Sequence, residues 1–242
     1  MDGHKRQATS AMELGTAIHA MVLERKNNVY VVDANDWKSR EAKDARRYAR
    51  ENGKVPLLRS TYNEAIEAVD ALRTQLANHA DAYGAFANGK PEQTLLWKEP
   101  DGTWCRALLD WLPEKGPLYD DLKTTGGSAN PQKWIGAHLF AGGYHVQAAF
   151  YCRGIRALGL CAAPTFRFVV LESQPPYAVA AVALTPEALA YADKLVDRAL
   201  AIWRRNLADN RWPAYEPRTH WATLPSYLET QLAEQEEREW SA

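Results

Sequence analysis

Two strand-like runs joined by a short connector, each delivering an aspartate, constrain this chain more than any other feature. Trp104-Cys105-Arg106-Ala107-Leu108-Leu109-Asp110-Trp111-Leu112 carries Asp110, and Leu118-Tyr119-Asp120-Asp121-Leu122-Lys123-Thr124 carries Asp121 and Lys123. The connector, Pro113-Glu114-Lys115-Gly116-Pro117, has the Pro and Gly of a hairpin and not of a crossover, so the two strands are expected to pair. Pairing brings Asp110 near Asp121. Side chains alternate along a strand, which puts Asp121 and Lys123 on one face and Asp120 and Leu122 on the other.

These residue types suit a hard divalent cation. Mg²⁺ takes oxygen ligands in an octahedron, commonly one or two carboxylates with water and phosphate in the remaining places. Asp110 and Asp121 can supply those carboxylates. A bound metal acidifies its water and polarises a phosphoryl oxygen, and an ammonium group such as Lys123 can orient the attacking water and offset developing charge. Taken alone, Asp-x-Lys is also the pattern of an acidic, solvated turn.

Further segments occur in a fixed order around this pair: Met12 to Glu24 (MELGTAIHAMVLE), Pro91 to Trp97 (PEQTLLW), Asp121 to Thr125 (DLKTT) and Gly143 to Tyr151 (GYHVQAAFY). With these, about two thirds of the chain resembles the PD-(D/E)xK nuclease superfamily. The resemblance is to its RecB-like branch, and there to the exonuclease VIII (RecE-type) group of phage and prophage exonucleases. It implies an α/β, restriction-endonuclease-like fold with a mixed central sheet flanked by helices. It also implies a Mg²⁺-dependent deoxyribonuclease, with Mn²⁺ tolerated, most simply a 5′-to-3′ exonuclease on double-stranded DNA. Carried over residue by residue, His19, Asp110 and Asp121 hold metal, and Lys123 assists the attacking water. Glu92 stands near the metal. Gln147 and Tyr151, four apart as in the Gln-x-x-x-Tyr signature, position the DNA strand. A homo-oligomeric ring and a single-strand annealing partner are implied by the same analogy. The superfamily's name places a proline before the first acidic residue, where this chain has Leu109; only the carboxylate need contact metal. An endonuclease or single-strand-specific enzyme of the same superfamily, or an inactive DNA-binding or assembly module, stays open as an alternative.

Each segment also has a bare physical reading. Ser10-Ala11-Met12-Glu13 fits a capping box at a helix start, and Leu14, Ile18, Met21 and Val22 recur at helical spacing as a buried stripe. On that reading alone, His19 is a helix-boundary histidine and Gln147 and Tyr151 are the polar rim of an apolar helix. Helices are predicted over Trp37–Glu51 and Tyr62–Ala80, the latter burying Ile66, Val69, Leu72 and Leu76. Strands are predicted over Gln93–Trp97, Thr165–Glu172 and Tyr177–Leu184. A long helix begins at Pro186-Glu187 with Leu189, Ala192, Leu195, Val196, Ala199, Ile202 and Trp203 inward, and a polar helix covers about Ser226 to Trp240.

At 242 residues and 46% hydrophobic, the chain can bury a substantial core, and residues 1–242 are expected to form a single domain with its centre at about 10–212. The start, Met1 to Gln7, has no apolar run of a secretory leader, no stretch is long enough to span a bilayer, and a cytoplasmic protein is expected. Cys105, Cys152 and Cys161 are odd in number and widely spaced, which argues against disulfides, a zinc site or a four-cysteine iron-sulfur cluster. A net charge of −1 is unusual for a DNA binder. The acidic tail from Glu229 accounts for it, leaving residues 1–228 at about +3. Lys38, Arg40, Lys43, Arg46, Arg47 and Arg50 form one basic cluster, some of which is expected to line a DNA path. No phosphate-loop or acyl-hydrolase motif is present.

Overall fold

The computed structural model describes residues 8–24 and 28–240, so the start at Met1 to Gln7, expected to carry no secretory leader, lies outside the described residues. The described chain divides into two compact units, one up to Ile202 and one from Trp203 onward. In the first, α1 (Ser10–His19) runs into a π-helical turn, Ala20–Glu24, followed by β1 (Val29–Val32), α2 (Arg40–Glu51), β2 (Val55–Leu58) and α3 (Arg59–Ala77). Then come β3 (Gly89–Lys98), β4 (Trp104–Pro113), β5 (Leu118–Thr125), α4 (Pro131–Trp134) with a second π turn, α5 (Tyr144–Ala157), β6 (Thr165–Glu172), β7 (Val179–Ala183) and α6, which starts at Pro186. The second unit holds the end of α6, through Ala208, and α7 (Ser226–Trp240), with the Trp203 and Trp212 rings 5.2 Å apart. No described helix is long and apolar enough to cross a membrane.

The strands form three ladders: β1 parallel to β2, β3 antiparallel to β4, and β5 parallel to β6 with β7 antiparallel on the far side. The expected β4–β5 hairpin ladder is therefore corrected. The two strands lie side by side, but β5 takes its backbone partner from β6 across the α4–α5 crossover.

Alternation along β5 and β6 sorts the core into two layers. Leu122, Val169 and Leu171 pack with Leu14, Ala17 and Ile18 of α1 and with Ala65, Val69 and Leu72 of α3. Tyr119, Phe166, Phe168 and Val170 face the other way, onto Trp97, Trp134 and the Ala148, Cys152 and Ile155 side of α5. Several predicted details shift. Thr9, not Ser10, caps α1 by accepting from the Met12 amide at 3.3 Å. Glu13 turns inward instead of closing a capping box. Ile66 is exposed, its place in the core taken by Ala65 and Ala68; Ala199, Ile202 and Trp203 are likewise exposed.

Glu13 explains the fate of the basic cluster. It is buried and receives hydrogen bonds from Arg46 and from Arg50, the latter at 2.9 and 2.7 Å, clamping α2 to α1. Arg46 also stacks on Trp37 at 4.5 Å, while Arg40 and Arg47 both pair with Asp44. Arg46 and Arg50 thus fix α2 to the helix that carries His19.

Candidate metal centre

The site forms where β4 parts from β5. With no ladder between these strands, the Leu122 amide would lack an acceptor, and the Asp110 carboxylate supplies one at 2.8 Å. That bond draws β4 against β5 and holds Asp110 beside Asp121. On the α1 side, His19 Nδ1 lies 3.8 Å from the same Asp110 oxygen. Such proximity requires α1 to pass close over β5, and Gly15 permits it: a Cβ there would stand 3.0 Å from Thr124 Oγ1.

Glu92 completes a cluster. In the β3–β4 ladder Pro91 pairs with Trp111 and Gln93 with Leu109, so Glu92 stands opposite Asp110. It does so in the left-handed region, φ 51°, a conformation uncommon outside glycine and found where a site over-determines the backbone. One ligand atom from each of His19, Glu92 and Asp110 lies within 4.8 Å of the others. Metal–oxygen bonds of about 2.1 Å put opposite ligands of an octahedron roughly 4.2 Å apart, so two carboxylates and an imidazole at this spacing fit a hard divalent ion. They border an open cleft of about 640 Å³ shared with Met12, Gly15, Thr16 and Thr124.

Asp121 stands next to this cluster but is engaged elsewhere. It is almost fully buried; Lys123 Nζ donates to one oxygen, and Gln147 Nε2 donates to the other at 2.8 Å. The alternation read from the sequence is visible here. Asp121 and Lys123 share the α5 side, whereas Asp120 turns to the opposite side and pairs with Arg167, directly across in β6, at 2.7 Å. Gln147, expected to contact DNA, points its amide at Asp121. Tyr151 packs edge-on against Phe166 with ring centres 5.4 Å apart.

The electrostatics favour ion capture. Burial raises both aspartates to about 6; for Asp110 the charge of Lys123 opposes the rise, and for Asp121 the neighbouring Asp110 adds to it. Burial also raises Glu92, helped by the charges of Glu24 and Asp121. His19 is lowered, first by burial and then by Lys123, which keeps the imidazole neutral and able to ligate. For Lys123, burial pulls downward but the contacts with Asp121 outweigh it, so the amine stays charged. Its ammonium sits 5.1 Å from the Tyr144 ring and 5.6 Å from Phe168. Neither ring was singled out as a wall of the site by the sequence; the only signal was Tyr144 one helical turn before Gln147. Glu24, at the end of the π turn, was likewise given no role.

The chain is similar to a crystal structure described as "Putative exonuclease" from Eubacterium rectale, with a TM-score of 0.59 and 12% identity over 91% of this chain and 79% of that one. The likeness is one of fold, and it bears out the restriction-endonuclease-like α/β architecture. No curated protein matches the sequence. The profile of a family described as "PDDEXK-like domain of unknown function (DUF3799)" matches residues 2–218. Spanning most of the chain, that match makes this protein a member of the PDDEXK-like DUF3799 family.

Proposed function

We propose that this chain is a divalent-metal-dependent deoxyribonuclease, working as a Mg²⁺-dependent 5′-to-3′ exonuclease on duplex DNA of the RecE type, in the cytoplasm. The observation that carries the proposal is the His19–Glu92–Asp110 cluster within 4.8 Å, set one strand away from the Asp121–Lys123 pair. Bound there, a divalent ion would supply Lewis acidity toward a phosphoryl oxygen and lower the pKa of its water. His19, Glu92 and Asp110 would hold the ion, with Asp121 beside them as a further carboxylate ligand. Lys123, kept charged, aligns the attacking water and offsets charge on the phosphoryl group. Gln147 fixes the orientation of Asp121 and, with Tyr151, positions the strand. By the same analogy the protein assembles as a ring and acts with a single-strand annealing protein.

The test is incubation of purified protein with linear and covalently closed circular duplex DNA, in Mg²⁺, Mn²⁺ or EDTA, beside Lys123→Ala. Metal-dependent loss of linear DNA only, starting from the 5′-labelled end and absent from the variant, is expected. Cleavage of closed circles would replace the exonuclease reading by an endonuclease one, and equal products from both proteins would remove Lys123 from the chemistry.

A further inference from the structure

The metal cluster lies at one end of a longer surface. Residues 104, 106, 108 and 110 share one face of β4 because side chains alternate, and the ladder places Lys98 opposite Trp104, Leu96 opposite Arg106 and Thr94 opposite Leu108. The other face of this ribbon is the inner one, where Leu95, Trp97, Cys105, Ala107 and Leu109 are buried and α5 packs through Phe150 and Gly154. The outer face is open. Trp104 is 64% exposed, Leu96 54% and Leu108 46%, an unusual outlay of large apolar side chains beside two cations, Lys98 and Arg106. Lys98 Nζ lies 5.6 Å from the centre of the Trp104 ring. Between residues 94–98 and 104–108 this face carries no acidic side chain; acid appears only beyond it, as Glu92 and Asp110 at the cluster and as Glu99 and Asp101 in the turn that joins the strands.

We propose that the outer face of the β3–β4 ribbon is a platform for an unpaired DNA strand that leads to the metal cluster, with Trp104 stacking on a base and Lys98 and Arg106 meeting phosphates. Six residues of strand separate Trp104 from Asp110, roughly 20 Å at about 3.4 Å per residue. Aromatic platforms flanked by cations bind single strands without sequence preference, because every base has a π-face to offer once it is unpaired. A duplex hides those faces and offers phosphate alone, so the exposed Trp104, Leu96 and Leu108 would be unused by it. A second copy of the chain fits less well: a twofold contact of this face with itself gathers four cations and no acid. The proposal rests on the nuclease reading for its direction toward the metal cluster, but not for the binding itself.

The experiment measures fluorescence anisotropy of a labelled dT20 oligonucleotide and of a 20-base-pair duplex in EDTA, which stops cleavage. Trp104→Ala is expected to raise the Kd for dT20 about tenfold, with Trp104→Phe restoring most of the affinity and the duplex affected less than twofold. Arg106→Glu is expected to weaken dT20 binding and flatten its salt dependence. Because Trp104 is largely exposed, both position-104 variants fold, which circular dichroism verifies. Unchanged dT20 affinity in Trp104→Ala overturns the proposal. So does a wild-type dimer in sedimentation that Trp104→Ala dissolves without altering dT20 binding, which would make the face a contact between copies. Metal-dependent hydrolysis of bis(p-nitrophenyl) phosphate by the wild-type chain, a substrate too short to reach the ribbon, tests the nuclease reading separately. Its absence alongside the Trp104 effect would leave the platform standing and remove the enzyme.

Discussion

Replacing Asp110 with Asn should make the metal-free protein more stable while destroying its response to metal. Asp110 is held up to about 6 by burial, only partly offset by Lys123 and the Leu122 amide. A carboxyl raised in the folded state above its ordinary 3.8 favours folding when protonated. Stability is therefore highest below about pH 4, declines as pH rises through about 6, and levels off above that. At about 1.4 kcal/mol per pH unit the displacement amounts to roughly 3 kcal/mol. Because burial and the neighbouring Asp110 raise Asp121 as well, about 2 to 3 kcal/mol belongs to the removal of one charge. Asn carries no charge and keeps a carbonyl oxygen for the Leu122 amide, so the cost disappears without opening a hole. Urea unfolding in EDTA at pH 4, 6 and 8 reads this directly: Asp110→Asn should match the wild type at pH 4 and exceed it by about 2 to 3 kcal/mol at pH 8. Adding millimolar Mn²⁺ should then stabilise the wild type and leave the variant unmoved. A variant less stable than the wild type at pH 8 without metal would refute the reasoning, because it would mean that the carboxylate is net stabilising where it stands.

Three other outcomes follow from the same geometry. Glu92→Gly should relieve the left-handed backbone and stabilise the metal-free chain by about 1 kcal/mol, while weakening Mn²⁺ binding at least tenfold in a calorimetric titration; tighter or equal binding would remove Glu92 from the cluster. Glu13→Gln removes the one carboxylate that two arginines share and should cost about 3 kcal/mol in denaturant unfolding, with a cost under about 0.5 kcal/mol showing that the clamp is ornamental. Gly154→Ala would place a methyl 2.7 Å from the Trp97 ring. It should lower stability by about 1 to 3 kcal/mol, and an unchanged melting curve would show that α5 can lift off β3.

The parts of this site that depend on period were legible in the sequence, and the parts that depend on partner choice were not. Alternation alone separates Asp121 from Asp120, and the structure sends one to Lys123 and Gln147 and the other to Arg167. The helical stripe around Leu14 and Ile18 likewise puts His19 at the edge of α1. A hydrophobic pattern says which face of a strand is buried but not which strand lies beside it, so the turn-like connector Pro113 to Pro117 reads as a hairpin while β5 pairs with β6. Charge spacing on α2 marks a basic face equally whether its arginines meet solvent, DNA or a buried glutamate; only the tertiary position of Glu13 decides. The φ of Glu92 leaves no trace at all in residue type, since a glutamate is a poor occupant of that conformation and nothing local asks for it.

The opening between β4 and β5 ties the chemistry to the architecture in a way that limits how the chain can lose its activity. An alanine at position 110 would silence the centre but also orphan a main-chain N–H, whereas asparagine would silence it and leave the strand anchored. Any descendant of this protein that had abandoned hydrolysis yet kept the shape should therefore carry an amide at that point more often than an aliphatic stub, a molecular scar by which retired copies could be told from working ones.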